Sequence, residues 1–316
     1  MRQSQDIDKY CPEYFSFFRI ISHEVIILYK CCYISKKILI TAVAFSVLAV
    51  LFISERFLFP SSADSEEEAV FLPVIMYHSI CDNGPQEYIV TPQQLESDLQ
   101  WLSSHGYTAV SAKQVCDYTH GNGCLPPKPV MITADDGHYN NLSQLLPLLE
   151  KYDMCAVISI VGSYTDVYAE SDPHQDNYSY LTWDDINALT ASGRIEIGSH
   201  TYDMHSLSGG RKGCAKLSYE TEEDYQSILR NDLTKLQNEI SRHTRQSPVV
   251  FTYPFGAVSR ESLPVIRELG FSMTLTCREG PNYIVHDPQC LYGIFRYNRS
   301  GLYSTEEFMR KLMAGE

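Results

Sequence analysis

The chain has 316 residues and carries 25 Lys and Arg side chains against 39 Asp and Glu side chains, a formal net charge of −14 at pH 7. Its 44% hydrophobic and 12% aromatic residues supply material for a packed core, which excludes a wholly disordered chain. The acidic balance argues against a nucleic acid as partner, because proteins that bind nucleic acid usually present a basic face. The charge is unevenly divided: residues 1–37 hold six basic and four acidic side chains, which leaves 19 basic and 35 acidic ones for the remainder.

An uncharged apolar run, ILITAVAFSVLAVLFI, occupies residues 38–53 between these two parts. With its apolar flank the run approaches the ~20 residues that span a bilayer. Three lysines precede it and several acidic residues follow it, a distribution that keeps the N-terminus in the cytoplasm. We therefore predict a cytoplasmic segment over residues 1–37, a transmembrane signal anchor over 38–58 and an acidic linker over 59–70. The protein is then expected in the cell membrane, as a single-pass protein whose C-terminal bulk is extracytoplasmic.

A cleaved signal peptide is the alternative interpretation of the same run. Its N-terminal region would be unusually long, and no A-x-A-like cleavage site follows the apolar residues. The sequence therefore favours an uncleaved anchor.

Seven cysteines follow the apolar run, and an odd number in an exported domain leaves at least one thiol unpaired. Cys116 with Cys124 and Cys277 with Cys290 are close enough in sequence to be disulfide candidates, although sequence alone cannot assign connectivity. No C-x-x-C spacing is present among them, so a cysteine zinc site is not expected.

Apolar, β-rich runs alternate with helical patterns through residues 71–316, which we predict to be one α/β domain. The runs are continuous rather than alternating, as is typical of strands buried on both faces of a parallel sheet. Helix starts are predicted at Thr91, Thr182 and Ser304 from their capping patterns, and the polar stretches 162–180 and 206–224 are expected to be long loops. The alternation predicts a barrel or a doubly wound sheet. The predicted strands cover residues 71–78, 107–110, 129–134, 155–161, 194–200, 249–253, 271–277 and 291–297.

Polar residues gather where these strands end. In α/β folds the chemistry lies at the carboxyl edge of the sheet. The residues found there are His78, the pair Asp135 and Asp136, and the histidines His200 and His205, followed by the YPFG turn after the strand at 249–253.

These strand-end residues have the composition of a metal site. Adjacent carboxylates at Asp135 and Asp136 are costly unless a cation neutralises one of them or they share a proton. His200 and His205 can converge on one ion if the segment between them leaves the strand as a loop. Two imidazoles and one carboxylate with open positions form a catalytic zinc or iron set. Each piece alone is commonplace, since an Asp-Asp-Gly is more often a turn, but their combination at strand ends indicates a site.

The motifs ITADDG, IGSHTYDMH and FTYPFG resemble the successive motifs of the polysaccharide deacetylases, carbohydrate esterase family 4, with its NodB-homology domain. The opening LPVIMYHSI and the late FRYNR extend the resemblance over about residues 72–312 and point to the branch of bacterial poly-N-acetylglucosamine deacetylases. The resemblance implies a distorted (β/α) barrel as the catalytic domain over 71–316. It also implies a metal-dependent hydrolase that removes N-acetyl groups from a cell-surface or extracellular N-acetylglucosamine polysaccharide and releases acetate.

The resemblance implies a role for each strand-end residue. By motif position, Asp135 resembles the general base, and Asp136, His200 and His205 resemble the metal ligands. The oxyanion of the reaction would be stabilised by the metal and by the backbone N–H of Phe255. Zn²⁺ is the expected metal, with Co²⁺, Ni²⁺, Mn²⁺ or Fe²⁺ as alternatives that such donors accept.

The general acid is less directly indicated. Many members of the family supply it from a histidine in a late L-x-H motif, which the predicted strand at 291–297 lacks. His78 resembles the substitute used in the poly-N-acetylglucosamine branch, and we expect it to be the acid. The alternatives are that His78 is a buried structural histidine, or that His286 supplies the proton.

Three departures from the family pattern bear on the site. Ala134 stands where an aromatic residue usually precedes the Asp pair, Thr252 replaces the arginine common in the third motif, and the histidine spacing is one residue longer than the commoner form. Without that arginine another cation must orient the base, and Arg296 in FRYNR is the candidate, with an ordinary salt bridge as its alternative role.

The residues expected to contact substrate are Phe255, Arg296, Tyr202 and Tyr253. The two tyrosines are expected to line the groove.

The substrate and the class of function retain alternatives. The same fold and motifs fit N-deacetylases of peptidoglycan or chitin oligomers and esterases of O-acetyl-xylan. Rivals from other classes are a catalytically inactive glycan-binding protein and a structural wall-anchored protein whose metal only stiffens the domain. The presence of both Asp135 and Asp136 argues against the glycan-binding alternative, because a binding module does not need a base beside the metal. Expected partners are the polysaccharide, the membrane through the anchor, and the machinery that makes or exports the polymer or cell wall.

Overall fold

The computed structural model describes residues 69–171 and 174–316. The predicted cytoplasmic segment, anchor and nearly all of the acidic linker lie outside the described residues, so those assignments stay predictions. Across the described ranges, no helix combines the length and apolarity needed to cross a bilayer. The described residues belong to one compact unit, Glu67–Glu316.

The described part of the chain builds a nine-stranded sheet in which every pairing is parallel. Its strands, in chain order, are β2 (Val74–Tyr77), β5 (Thr108–Ala109), β6 (Pro129–Asp136), β7 (Ala156–Ile160), β8 (Ile195–Ser199), β9 (Val250–Thr252), β10 (Met273–Leu275), β12 (Tyr292–Ile294) and β13 (Tyr297–Asn298). Four short strands form two small separate pairs, namely β1 (Val70–Phe71) with β11 (Tyr283–Ile284) and β3 (Ser79–Ile80) with β4 (Ile89–Val90).

Chain connectivity shows that the large sheet is curled. Its order is β12-β10-β9-β8-β7-β6-β2-β13, with β5 added beside β6, so β12 and β13 stand at opposite edges. Only Phe295 and Arg296 separate these two edge strands in sequence. Because consecutive Cα atoms are about 3.8 Å apart, the edges must come close together. The predicted parallel α/β architecture is confirmed, and the curled sheet agrees with the predicted distorted barrel.

Three helices begin where the sequence signals place them. Thr91, Thr182 and Ser304 each form a complete capping box, as predicted. The helices are α1 (Pro92–Ser104), α2 (Ala112–Thr119), α3 (Leu146–Lys151, after a π-helical turn), α4 (Gly162–Ser171), α5 (Trp183–Ala191), α6 (Glu222–Thr244), α7 (Leu263–Glu268) and α8 (Thr305–Leu312). One expectation was wrong: α4 occupies much of the stretch 162–180, which was predicted to be a loop.

Successive residues of the central strands are buried on opposite faces of the sheet. Val74, Met131 and Val157 join one core cluster, whereas their neighbours Ile75, Ile132 and Ile158 join a second, larger cluster. Both faces are therefore apolar, which explains why the strands read as continuous apolar runs. The seven cysteines of the described residues are all free, so neither disulfide candidate forms in this structure.

Candidate active site

A groove of about 820 Å³ lies at the carboxyl ends of the central strands. The structure brings six of the predicted site residues to its lining, although they come from four separate stretches of the sequence. These residues are His78, Asp135, Asp136, His200, His205 and Phe255.

Asp136, His200 and His205 converge on one point. One ligand atom from each lies within 4.8 Å of the other two. The Nε2 atoms of His200 and His205 lie 3.5 Å and 3.3 Å from the same Asp136 oxygen, Oδ1. The loop that follows β8 makes this possible, because it carries His205 back beside His200 as the five-residue spacing predicted.

Hydrogen bonds orient both imidazoles with Nε2 toward the carboxylate. Nδ1 of His200 lies 2.9 Å from the carbonyl oxygen of Thr252, which only a protonated nitrogen can satisfy. The Tyr164 hydroxyl donates to the carbonyl of His205 and lies 3.3 Å from Nδ1 of the same residue, so that nitrogen is the donor of the pair. In the neutral rings the Nε2 lone pairs are then free to bind a metal, the arrangement that outer hydrogen bonds enforce in metal sites.

The donor set of this cluster fits a divalent metal. Burial lowers the pKa of His200, which favours the neutral ligand form. Burial alone would raise the pKa of Asp136, but the neighbouring His138, His200 and His78 hold it well below its ordinary value. Among the described residues, the ion-pair partners of Asp136 are all histidines. A carboxylate with two neutral imidazoles is a catalytic zinc-type set, and the groove leaves its remaining positions open.

The backbone is strained at one residue of this cluster, Asp136, and at Thr201, the residue that follows His200. Asp136 has a φ of 72° and Thr201, next to His200, has a φ of 74°. Such left-handed values are unusual for residues other than glycine and persist only where the surrounding structure holds them. Gly137 follows with a φ of 72°, and a Cβ there would lie 3.0 Å from Cγ2 of Ile160. The sharp turn after β6 therefore requires the glycine of the ADDG motif.

Asp135 is paired with Arg296 in the floor of the groove. Nη1 and Nη2 of Arg296 donate to Oδ1 and Oδ2 of Asp135 at 2.8 Å and 2.7 Å, and Nε donates to the carbonyl of Thr276. Burial by itself raises the pKa of Asp135, but the charge and hydrogen bonds of Arg296 outweigh it and hold the pKa below its ordinary value. Arg296 thus occupies the place predicted for the cation that orients the base. Its guanidinium is fully buried, so it contacts the carboxylate of Asp135. This corrects the prediction that Arg296 contacts the substrate.

His78 lines the groove beside this pair. Its Nδ1 is buried and has no hydrogen-bond partner within the described residues, and the Tyr88 ring packs edge-on against the imidazole at 4.9 Å. Burial lowers the pKa of His78, while the charges of Asp135 and Asp136 oppose that shift. His286, the second candidate for the acid, packs against Tyr118 and does not line the groove.

Phe255 lies at the centre of the predicted oxyanion turn. The residue has a φ of 55°, and its ring stacks on His205 with ring centroids 4.5 Å apart. Gly256 follows with a φ of 62°, and a Cβ there would lie 2.8 Å from Cβ of Cys277, so this turn packs closely against the end of β10. The assignment of the Phe255 N–H to an oxyanion stays a prediction.

The structure places neither predicted tyrosine in the groove. Tyr253 is 3% exposed and its hydroxyl lies 2.8 Å from Ser262 Oγ, inside the core. The hydroxyl of Tyr202 donates to Asp166, and the ring is covered by the Lys235 ammonium 3.5 Å from its centroid. Both rings are directed away by partners that the local sequence does not reveal, which corrects our expectation that they line the groove.

Sequence reasoning missed other residues of the groove. His138 stacks on Tyr180 and places Nε2 3.7 Å from the second oxygen of Asp136. Its position directly after Asp-Asp-Gly indicated that it could approach the site, although an exposed position was the default expectation. Tyr88, Leu302 and Tyr303 line the groove from loops that carry no motif, so nothing in the sequence marked them.

Comparisons with known proteins agree with this site. Residues 122–274 match the family model of polysaccharide deacetylase. The chain is 26% identical over 226 residues to the poly-beta-1,6-N-acetyl-D-glucosamine N-deacetylase of Escherichia coli K12, a match that covers 65% of this chain and 34% of that protein. It is also 26% identical over 212 residues to the protein of the same name from Staphylococcus aureus MRSA252, with 67% of this chain and 69% of that protein covered. The matched region thus spans about a third of the length of the first relative and two thirds of the second.

The fold is also that of a solved relative. The structure of IcaB from Ammonifex degensii aligns with a TM-score of 0.63 at 21% sequence identity, and the alignment covers 77% of this chain and 95% of that chain. At this identity the likeness shows a shared fold and nothing finer. The family-model match, together with the names of the curated relatives, shows a polysaccharide deacetylase domain in this chain over residues 122–274.

Proposed function

We propose that this protein is a metal-dependent N-deacetylase of an extracellular N-acetylglucosamine polysaccharide. It would hydrolyse the acetamide to a free amine and acetate. The observation that carries the proposal is the juxtaposition, in one groove, of the Asp136–His200–His205 cluster and the buried Asp135–Arg296 pair. The names of the E. coli and S. aureus relatives support poly-β-1,6-N-acetylglucosamine as the polymer.

Asp136, His200 and His205 would hold the divalent metal, with Zn²⁺ as the first expectation. When bound, the metal supplies a Lewis acid that acidifies water and polarises the acetamide carbonyl. Asp135 would accept the proton of the attacking water. It is suited to this role because Arg296 keeps its pKa low, so the carboxylate is charged and its orientation is fixed.

The other residues of the groove act on the developing and leaving charges. His78 would protonate the departing amine: a lowered pKa makes its protonated form a stronger acid, and Asp135 and Asp136 favour that form. The backbone N–H of Phe255 would donate to the oxyanion. Both assignments are proposals that rest on the position of these residues in the groove.

The place of action is also proposed from the sequence. The apolar segment 38–58 would anchor the protein in the cell membrane, with residues 1–37 in the cytoplasm and the catalytic domain 71–316 outside. The polysaccharide would then meet the groove at the outer surface, beside the machinery that makes or exports it.

Thiol labelling tests this orientation. A membrane-impermeant thiol reagent should label exposed Cys124 of the full-length protein in intact cells. Labelling only after lysis would contradict the proposed orientation.

The activity is tested by acetate release from the full-length protein. The metal-stripped protein is titrated with Zn²⁺, Co²⁺, Ni²⁺, Mn²⁺ and Fe²⁺ and incubated with poly-N-acetylglucosamine, peptidoglycan, chitin oligomers and acetyl-xylan. We expect metal-dependent acetate release, highest with poly-N-acetylglucosamine. Release from another polymer alone would change the substrate, and metal binding without acetate from any polymer would favour an inactive glycan-binding protein.

His78→Ala tests the assignment of the acid. We expect turnover to fall about 10²–10⁴-fold because the amine then leaves without a positioned proton donor. Metal affinity should be unchanged, since His78 is not one of the three converging ligands. His286→Ala, which removes a histidine outside the groove, is the matched control; wild-type turnover in His78→Ala would disprove the assignment.

A further inference from the structure

The segment between the two histidine ligands is short and strained. Thr201, Tyr202, Asp203 and Met204 connect His200 to His205, and Thr201 has a φ of 74°. The two imidazoles reach the same Asp136 oxygen only while this segment keeps its conformation. Strained backbone of this kind persists where neighbouring groups hold it, so the groups that contact the segment decide the ligand geometry.

Asp232, on the long helix α6, holds the segment from one side. Its Oδ1 accepts a hydrogen bond from the backbone N–H of Tyr202 at 2.7 Å, and its Oδ2 accepts one from the N–H of Asp203 at 2.8 Å. The two carboxylate oxygens therefore accept hydrogen bonds from the N–H groups of two consecutive residues. Charge-assisted hydrogen bonds of this kind are stronger than neutral ones. Leu229, Leu233 and Leu236 are buried on the same helix, which fixes the position of the carboxylate.

The first turn of α4 holds the segment from the other side. The N–H groups of Gly162 and Ser163 donate to the carbonyls of Thr201 and Tyr202 at 3.1 Å and 2.8 Å. Gly162 is required by this close approach, because a Cβ there would lie 2.6 Å from the Tyr202 ring. The peptide groups around Thr201 are thus bonded to two separate helices, and Asp232 supplies the side-chain contribution.

We propose that Asp232 is a positioning residue for the metal site: it sets the spacing of the His200 and His205 imidazoles without touching the metal or the substrate. The inference rests on the proposed function only through the metal that these histidines would bind. Without the carboxylate, the N–H groups of Tyr202 and Asp203 lose their acceptor, and Thr201 is free to relax from its left-handed conformation. Loss of such outer contacts typically costs about 10–100-fold in metal affinity.

The test measures metal binding to the full-length protein without substrate. Zn²⁺ affinity is determined by competition with a chromophoric chelator, and Co²⁺ is titrated while its ligand-field absorption, which reports coordination geometry, is recorded. For Asp232→Ala we expect about 10-fold weaker Zn²⁺ binding and an altered Co²⁺ spectrum. Asp232→Asn keeps one oxygen acceptor and should show a smaller change in the same direction. If Asp232→Ala does not fold, the Asp232→Asn variant alone tests the positioning role.

Glu239→Gln is the matched control. It removes a carboxylate from the same helix, and that carboxylate contacts Arg242 and His243 and not the ligand segment. We expect wild-type affinity and spectrum from it. Wild-type affinity and spectrum in both Asp232 variants, even with a lowered melting temperature, would show a merely structural role and overturn the inference. A wild-type protein that binds neither ion would instead overturn the metal site of the proposed function.

Discussion

Two buried aspartate–arginine pairs in this protein use arginines from one short stretch, FRYNR, yet they do different things. Arg296 pairs with Asp135 in the floor of the groove, and Arg299 pairs with Asp98 of α1. All four side chains are almost fully buried. The chemical composition of the two pairs is the same, so their difference lies in what surrounds each carboxylate.

The carboxylate of Asp98 is saturated with hydrogen bonds. It accepts from Nε and Nη2 of Arg299, from the Tyr77 hydroxyl and from the Thr305 hydroxyl, over distances of 2.6–3.2 Å. A carboxylate offers about four lone-pair positions, so none is left for a reaction. This cluster ties α1, β2 and α8 to the loop after β13, and its role is structural.

The carboxylate of Asp135 accepts only the two bonds from Arg296 among the side-chain hydrogen bonds of the described residues. About two lone-pair positions therefore remain on a charged group that lines the groove. The comparison teaches that the two ion pairs differ in free acceptor capacity: Asp98 has none left, whereas Asp135 retains the capacity that the proposed base requires. Four predictions follow from this difference.

The largest effect is expected from Asp135→Asn. The amide cannot accept the proton of water, so turnover should fall about 10²–10⁴-fold. Metal affinity should stay within a few-fold, because Asp135 is not one of the converging ligands. Asp98→Asn makes the same chemical change in the other pair and is the control, assayed at a temperature where both variants are folded. Equal losses of turnover in the two variants would remove the distinction between the pairs.

Asp98→Ala should produce the largest loss of stability. It leaves the buried Arg299 charge without its partner, which typically costs about 3–5 kcal/mol of unfolding free energy. Denaturant unfolding of the full-length protein measures this cost. Asp117→Ala, which removes an exposed carboxylate paired with Lys113, is the control and should cost no more than about 1 kcal/mol. A loss as small as that of the control would show that the Asp98 cluster does not stabilise the fold.

Metal binding should raise the unfolding free energy of the wild type and of an Asp98 variant equally, and that of an Asp136 variant much less. A ligand at about 100 times its Kd adds about 2.7 kcal/mol to the unfolding free energy, and chelation should remove it. Asp98→Ala should gain the same increment as the wild type, because distant sites contribute additively. Asp136→Asn, which changes a converging ligand, should gain little. An undiminished increment in Asp136→Asn would place the bound ion elsewhere.

Much of the fold was predictable from the sequence because local signals specify its strands and several of its helix starts. Continuous apolar runs marked the strands, and capping boxes at Thr91, Thr182 and Ser304 marked three helix starts. The convergence of Asp136, His200 and His205 was also predictable, since they follow strand ends and parallel strands end at one edge. The strand and helix signals each depend on residues within a few positions of one another, and the parallel sheet brings the separate strand ends together.

Features that depend on distant contacts were predicted less well. The Arg296 partner of Asp135 lies 161 residues away and was inferred only because a base without the usual arginine needs another cation. Asp98 and Arg299 are separated by 201 residues, and no sequence motif predicted their pairing. Tyr202 and Tyr253 flank the site motifs, but Asp166 and Ser262 draw their hydroxyls away from the groove. Proximity in sequence does not determine the direction of a side chain.

The smallest effect is expected from Tyr253→Phe, which tests a neutral buried contact against the two charged pairs. Ser262 Oγ donates to the carbonyl of Ser259, so the Tyr253 hydroxyl is the donor in its bond to Ser262. Its loss should cost about 0.5–1.5 kcal/mol of unfolding free energy and leave turnover and KM for the polysaccharide unchanged.

Tyr219→Phe is the control, because this ring is 79% exposed and the change should stay within about 0.5 kcal/mol. A raised KM in Tyr253→Phe with unchanged stability would mean that the hydroxyl contacts substrate after all. The stability cost is small here because only a neutral hydroxyl is removed, whereas Asp98→Ala leaves a buried guanidinium charge without its partner.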